Sequence, residues 1–298
     1  MPCFDLVVTD LDGTLFYDRA HICARDRAML ERLHVCGIPC AIATGRELDA
    51  VAPALDHLGL WPYFSYIIHS GGAGIYDVRT QENDMTGMLS VDTLCELFDR
   101  YAPLGLPFVL PMDGKMYVSR RTDLLENEAR LLRYPLVEVP DLKQVIYKPM
   151  NKIVLNGPLD DIARAMPILS ADQDPRYQWH RSHDNYIDCY ARGIDKGAAL
   201  RTLCARLGLD PARTLAIGDN ENDIQLLDAA GLAACPGDGT DSAKAHADYI
   251  CCPAAEGAFA DLCEHYLFSA ASDAAGAYSV CLRRYNKIAD AWRRLCPF

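Results

Sequence analysis

Asp10-Leu11-Asp12-Gly13-Thr14-Leu15 follows the apolar run Leu6-Val7-Val8. A short apolar run of this kind predicts a buried strand. Two carboxylates one residue apart therefore stand where a strand ends and a tight turn begins. In a parallel α/β sheet, ligands bind at the carboxyl ends of the strands. If extended geometry persists past the strand, alternation directs Asp10 and Asp12 the same way. Gly13 lets the backbone come close to a ligand, and Thr14 can hydrogen-bond within the turn. By itself the hexapeptide marks an anion or metal site, or a plain Asp-Gly turn. The rest of the chain decides between them.

Outward from this stretch the chain alternates strand and helix. Arg25 to His34 carries apolar Ala28, Met29, Leu30 and Leu33 and predicts a helix ended by Gly37. Ile38 to Ala43 predicts a second strand, leading into Thr44-Gly45-Arg46, and Leu48 to Leu58 a helix. Tyr66-Ile67-Ile68 predicts a third strand, followed by Ser70-Gly71-Gly72-Ala73-Gly74. Such alternation indicates βαβ units and a parallel sheet. The pattern then changes. A helix over Val91 to Tyr101, strands at 108–110, 116–118, 153–155 and 186–190, and a helix over 162–169 interrupted by Pro167 indicate an α+β insert with an antiparallel sheet. The parallel pattern returns with a helix over 196–207, a strand at 214–217, the turn Gly218-Asp219-Asn220-Glu221-Asn222-Asp223 and a helix over 224–230. Strands at 232–234 and 249–250 and helices over 241–247 and 258–267 complete it. The expected organisation is an α/β, Rossmann-like parallel-sheet core formed by 1–77 and 186–268, an inserted α+β domain at 78–185, and an extension at 269–298.

Composition narrows the classes. At 298 residues, half of them apolar, the chain is long enough for two domains. A formal charge of −12 argues against a nucleic-acid partner, since phosphate backbones demand clustered cations. No run approaches the apolar length of a membrane span, and no basic-then-apolar leader pattern opens the sequence. The thirteen cysteines are odd in number and scattered, with no CxxC pair. They predict reduced thiols in a cytoplasmic protein.

The loops carry complementary chemistry. Asp10, Asp12, Asp219 and Asp223 supply carboxylates, Thr44, Ser70 and Asn222 neutral hydrogen-bonding groups, and Arg46 and Lys196 cations. Converging carboxylates repel one another unless a cation sits among them. Oxygen ligands with room for water favour Mg²⁺ over zinc. Together these parts suit stabilisation of a transferring phosphoryl group.

At this point a resemblance enters. Asp10 to Leu15, Ala43-Thr44-Gly45-Arg46, Lys196-Gly197 and Gly218 to Asp223 resemble the four ordered motifs of the haloacid dehalogenase superfamily of phosphatases. The insert between the second and third motifs resembles the cap of the Cof-type subgroup (type C2B). The resemblance covers the chain to about residue 268. It implies that Asp10 is a nucleophile and Asp12 a general acid/base. It implies Mg²⁺ held by Asp10, the Asp12 backbone carbonyl and Asp219, with Asp223 behind the metal. Thr44, Gly45, Lys196 and Asn222 would contact the phosphoryl group, Asn222 and Asp223 also orienting metal-bound waters or Lys196. Arg46 belongs to the pattern either as a phosphate contact or as a structural ion pair. The implied partner is a small phosphorylated metabolite, with a sugar phosphate leading and phosphorylated cofactors and nucleotides open. The same residues would serve a phosphotransferase or phosphomutase, while a non-catalytic binder would need neither Asp10 nor Asp12. Two departures stand out: Gly71 where the subgroup commonly carries Asn, and Thr9 where an apolar residue is usual.

In the insert, Lys148, Asn151, Lys152, His180, Arg181 and His183 are polar enough to read a substrate's distal groups, with Lys152, Arg181 and His183 the leading candidates. In the extension, Tyr278, Cys281, Leu282, Tyr285, Ile288, Trp292 and Leu295 recur at helical spacing beside Arg283, Arg284, Lys287, Arg293 and Arg294. This predicts an amphipathic helix, packed on the core or forming a homodimer contact or a hold on an acidic surface.

Overall fold

The computed structural model describes residues 4–131 and 134–268. The amphipathic helix expected over 269–298, and the dimer contact expected of it, lie outside the described residues. In chain order the first elements are β1 (Leu6–Thr9), α1 (Ala24–Cys36), β2 (Cys40–Ala43), α2 (Leu48–Leu58), β3 (Tyr66–His69), β4 (Gly74–Asp77) and β5 (Asn83–Met85). Then come α3 (Val91–Tyr101), β6 (Phe108–Met112), β7 (Lys115–Val118), α4 (Asp123–Leu131), β8 (Leu136–Glu138), β9 (Lys152–Asn156), α5 (Leu159–Ser170), β10 (Tyr177–His183) and β11 (Tyr186–Ala191). The last are α6 (Lys196–Leu207), β12 (Thr214–Ile217), α7 (Ile224–Ala229), β13 (Leu232–Cys235), α8 (Asp241–Lys244), β14 (Tyr249–Ile250) and α9 (Ala258–Tyr266).

One sheet has the order β14-β13-β12-β1-β2-β3-β4-β5. Its strands pair in parallel from β14 to β3, and β4 and β5 add an antiparallel edge. The central strands are apolar without alternation because both faces are covered. Val7, Ile42, Ile67 and Leu215 pack with Leu30 and Leu33 of α1 and Phe259 of α9. Leu6, Val8, Ala41 and Ile68 face Leu200 and Leu203 of α6. Each such fully buried aliphatic side chain contributes about 1.5–3 kcal/mol. The covered faces leave the strand ends, and so the loops after β1, β2, β3 and β12, as the places where polar groups gather.

The second sheet has the order β10-β11-β9-β6-β7-β8 and is antiparallel except for the β7–β8 pair. One face packs on α3 and α5 through Phe108, Leu110, Ile153, Leu155, Ile187 and Cys189. By the two-residue period of a strand, Val109, Lys152, Val154, Asp188 and Tyr190 lie on the opposite face. That face looks onto the first sheet's loops.

Pairing moves both edges of the insert from those expected at 78–185. β5, Asn83-Asp84-Met85, has all three residues exposed, yet it hydrogen-bonds to β4 in the first sheet, so the core reaches at least Met85. β11, assigned to the core by the 186 border, lies between β10 and β9 in the second sheet. The helix around Pro167 is continuous: Pro167 has no N–H to donate to the Ala163 carbonyl, and both residues are exposed, so water can satisfy that carbonyl. The sequence pattern gives no expectation of β4, β5, β8, β10 or α4. Tyr177 and Trp179 of β10 alternate with polar residues, and α4 buries mainly Leu125 within a charged run.

Candidate active site

β1 ends at Thr9, and the chain turns sharply at Gly13, whose φ is +83°. A Cβ built there would stand 2.5 Å from Asp219 Oδ2, so glycine lets the loop after β12 press its carboxylate against the loop after β1. Thr14 Oγ1 donates to Asp219 Oδ1 at 2.9 Å. Carboxylate oxygens of Asp10, Asp219 and Asp223 thereby lie within 4.8 Å of one another.

Lys196 occupies the first turn of α6, where the helix dipole disfavours a cation. Its Nζ donates to Asp10 Oδ1 at 2.7 Å and to Asp223 Oδ1 at 2.6 Å, with the side chain 1% exposed. Burial alone would lower its pKa, but the two carboxylates outweigh burial and raise it, so the ammonium is held charged. Burial pushes Asp10 up to about 7, against the pull of Lys196 and with help from Asp223 and Asp12. Burial and the neighbouring Asp10 and Asp223 raise Asp219 as well. One lysine does not balance three carboxylates, and hard oxygen donors in this number suit a divalent cation such as Mg²⁺. Asp223 has its oxygens occupied: Oδ1 by Lys196, and Oδ2 by the N–H groups of Asp219 and Asn220 at 3.1 and 3.2 Å. Among the described residues the Asp219 side chain accepts only from Thr14, which leaves it the more available ligand.

Arg46, for which the sequence left two roles open, pairs with Asp12. Nε donates to Asp12 Oδ2 at 2.8 Å and Nη2 to Asp12 Oδ1, while Nη2 also donates to the Arg19 carbonyl at 2.7 Å. Burial presses Asp12 upward, yet Arg46, with Arg19 beside it, holds it below the usual carboxylate range. The Thr44 hydroxyl accepts from the Arg46 N–H at 3.1 Å.

A cavity of about 260 Å³ lies between the two sheets. Asp10, Asp12, Gly45, Arg46, Asp219 and Asn222 line it from the core; Val109, Met116, Glu128, Lys152, His183 and Tyr186 line it from the insert. Of the insert residues expected to meet substrate, His183 and Lys152 reach the cavity. Lys152 is already engaged. Its Nζ donates to the Gly45 carbonyl at 2.7 Å and lies 3.2 Å from Glu47 and 3.4 Å from Asp188. Burial lowers the pKa of His183, with Arg19 pushing the same way, so its ring is favoured neutral. Arg181 does not line the cavity; it pairs with Asp184 three residues on. Lys148 pairs with Asp113 on the surface.

Gly71 has its own explanation. Its φ is +66°, and a Cβ there would stand 2.3 Å from Cζ of Tyr190. The ring of this insert residue fills the space beside Gly71, and its hydroxyl donates to Asp188 Oδ2 at 2.6 Å. Tyr190, Asp188, Glu47, Arg19 and Glu128 were not singled out in the sequence; β11's alternation gave a signal for the first two, and nothing local gave one for Arg19 and Glu128.

A family model described as haloacid dehalogenase-like hydrolase matches residues 7–262. The chain belongs to that family. Within it the chain falls in the Cof-type subgroup, and the inserted α+β unit is the cap. It is 27% identical over 250 residues to the phosphoglycolate phosphatase of Methanopyrus kandleri, covering 82% of this chain and 89% of the relative. It is 26% identical over 248 residues to the Bacillus subtilis 5-amino-6-(5-phospho-D-ribitylamino)uracil phosphatase YcsE, covering 82% and 88%. The solved structure of the subclass IIB sugar phosphatase BT4131 superposes with a TM-score of 0.75 at 20% identity, over 89% of this chain and all of that one. That likeness concerns the fold.

Proposed function

We propose that this hydrolase is a Mg²⁺-dependent phosphomonoesterase that works through an aspartyl-phosphate on Asp10. The observation that carries the reading is the buried Asp10, in contact with Lys196 and beside Asp219 and Asp223, opening on a cavity between core and cap. Asp10, Asp219 and the Asp12 carbonyl would hold Mg²⁺, with Asp223 orienting Lys196 and the loop of Asp219. Bound there, the metal supplies positive charge against the phosphoryl oxygens and keeps Asp10 ionised.

Asp10 attacks phosphorus, a bond forms between its carboxylate oxygen and phosphorus, and the ester P–O bond breaks. Asp12 gives its proton to the departing oxygen, then takes one from the water that cleaves the acyl phosphate, releasing inorganic phosphate and restoring Asp10. Arg46 favours the ionised Asp12 needed in the second half, so the first half requires the Arg46 pair to loosen. Lys196 keeps Asp10 in place, and Gly45 and Asn222 stand at the cavity wall to meet the phosphoryl oxygens. The closed cap excludes bulk water. A cavity of about 260 Å³ is at the small end for ligand sites and favours a metabolite of sugar-phosphate size over a nucleotide. Relatives named as acting on phosphoglycolate and on a phosphoribityl compound, and a like-folded sugar phosphatase, fit a small phosphorylated substrate.

The test is hydrolysis of p-nitrophenyl phosphate and a panel of sugar phosphates. Mg²⁺ should support turnover, chelation should stop it, and Mg²⁺ should restore it better than Zn²⁺. Asp10→Asn should abolish turnover with an unchanged melting profile. Activity surviving in that variant, or indifference to chelator, would overturn the reading.

A further inference from the structure

Arg19 sits in the loop leaving Asp10–Leu15 and has φ +70°, a left-handed conformation uncommon for a residue with a side chain. Its carbonyl is fixed by Arg46 Nη2. Its guanidinium forms a two-pronged pair with Glu128 of α4 on the cap: Nη1 donates to Oε2 at 2.8 Å and Nη2 to Oε1. The side chains are 24% and 10% exposed, so this is no solvated surface pair, and its forked geometry is the strong form of such a contact. A third donor, Nε–H, is buried and has no hydrogen-bond acceptor among the described residues, and its nitrogen stands 3.6 Å from Asp12 Oδ1. One side chain thus faces a carboxylate of the cap with one end and a carboxylate of the core with the other.

We propose that Arg19 is a positioning residue that couples the seating of the cap to the placement of Asp12. Glu128 fixes the plane of the guanidinium from the cap side, and that plane aims Nε–H at Asp12 on the core side. When the cap lifts, Glu128 leaves with α4, the guanidinium loses its orientation, and Asp12 is held by Arg46 alone. The inference rests on Asp12 acting as the proton shuttle. Its structural half, the tether between cap and core, stands independently of that role.

The experiment is a double-mutant cycle on the full chain, using p-nitrophenyl phosphate with Mg²⁺ for kinetics and small-angle scattering for cap position. Arg19→Met and Glu128→Gln should each lower kcat by about tenfold, a fraction of what full loss of acid/base catalysis costs, with KM changed less than about twofold. The double variant should be no slower than either single one, because both remove one coupled contact. Scattering should report a wider particle for each. The exchanged pair Arg19→Glu with Glu128→Arg should restore the compact particle without restoring kcat, since no cation then faces Asp12 from position 19. Effects that multiply in the double variant, single variants that are wild-type in kcat, or an exchanged pair that recovers kcat would overturn the coupling. Unchanged scattering in both single variants would overturn the tether. A wild-type chain inert towards p-nitrophenyl phosphate would instead refute the phosphatase reading, and the scattering would still decide the tether.

Discussion

Lys196 shows how a single misfit reports function. A cation in the first turn of a helix opposes the dipole, and burying it adds the cost of desolvation, so only Asp10 and Asp223 make the position tolerable. Lys196→Met should therefore destabilise the metal-free protein by about 3–5 kcal/mol, because it leaves two buried carboxylates without their partner. Denaturant unfolding measures this; an unchanged midpoint would refute the pairing as a structural element. Gly71 is the converse case. Gly71→Asn should cost about 1–3 kcal/mol, since the backbone is left-handed there and Tyr190 occupies the space. A melting temperature equal to wild type would show that Tyr190 yields freely. Neither neighbour is near in sequence, so the Gly71 departure could be noticed but not explained from the chain alone.

Helices α1 and α9 meet at a buried carboxylate. Asp26 of α1 accepts from the Ala260 N–H at 2.8 Å, while its other oxygen is buried and has no partner among the described residues. Burial pushes Asp26 up to about 7. A carboxyl raised in the folded state holds its proton more tightly there than in the unfolded chain. Its contribution is therefore greatest below the ordinary carboxylate value and is lost as pH rises towards 7. Between pH 5 and pH 8 the wild type should lose about 1–3 kcal/mol that Asp26→Asn does not. Thermal unfolding of both proteins at the two pH values checks this, and parallel pH profiles would refute it. The elements themselves were legible to different degrees. α2 and α3 match their expected ranges because their apolar spacing is regular, whereas β5 has no apolar residue facing a core and exists only through its ladder with β4.

The cap and core are joined by buried polar contacts as well as by the chain. Lys152 is the centre of one such contact, bonded to the Gly45 carbonyl and flanked by Glu47 and Asp188, with Tyr190 against Gly71 next to it. Lys152→Met would leave Glu47 and Asp188 facing each other without their cation. We expect KM for a sugar phosphate to rise by about tenfold or more as the closed state loses population. Steady-state kinetics measures it, and a KM within twofold of wild type would show that Lys152 does not hold the cap. The sequence suggested Lys152 as a group that reads substrate; its hydrogen bonds to Gly45 and Asp188 and its ion pair with Glu47 make it foremost a joint between the two sheets.

The sequence by itself determined the parallel α/β core, the insert, and the set of Asp10, Asp12, Asp219, Asp223 and Lys196. Buried strands demand continuous apolar runs, and site chemistry demands particular side chains at strand ends, so both leave local marks. Tertiary structure alone decided that Asp223 has both oxygens engaged while Asp219 accepts from Thr14, that Arg46 belongs to Asp12, that Arg181 stays out of the cavity, and that Arg19 meets Glu128 across 109 residues of chain. Those outcomes depend on distances between segments remote in sequence. Hydrogen bonds and ion pairs act over a few ångströms and so are fixed only once the two sheets have been brought face to face.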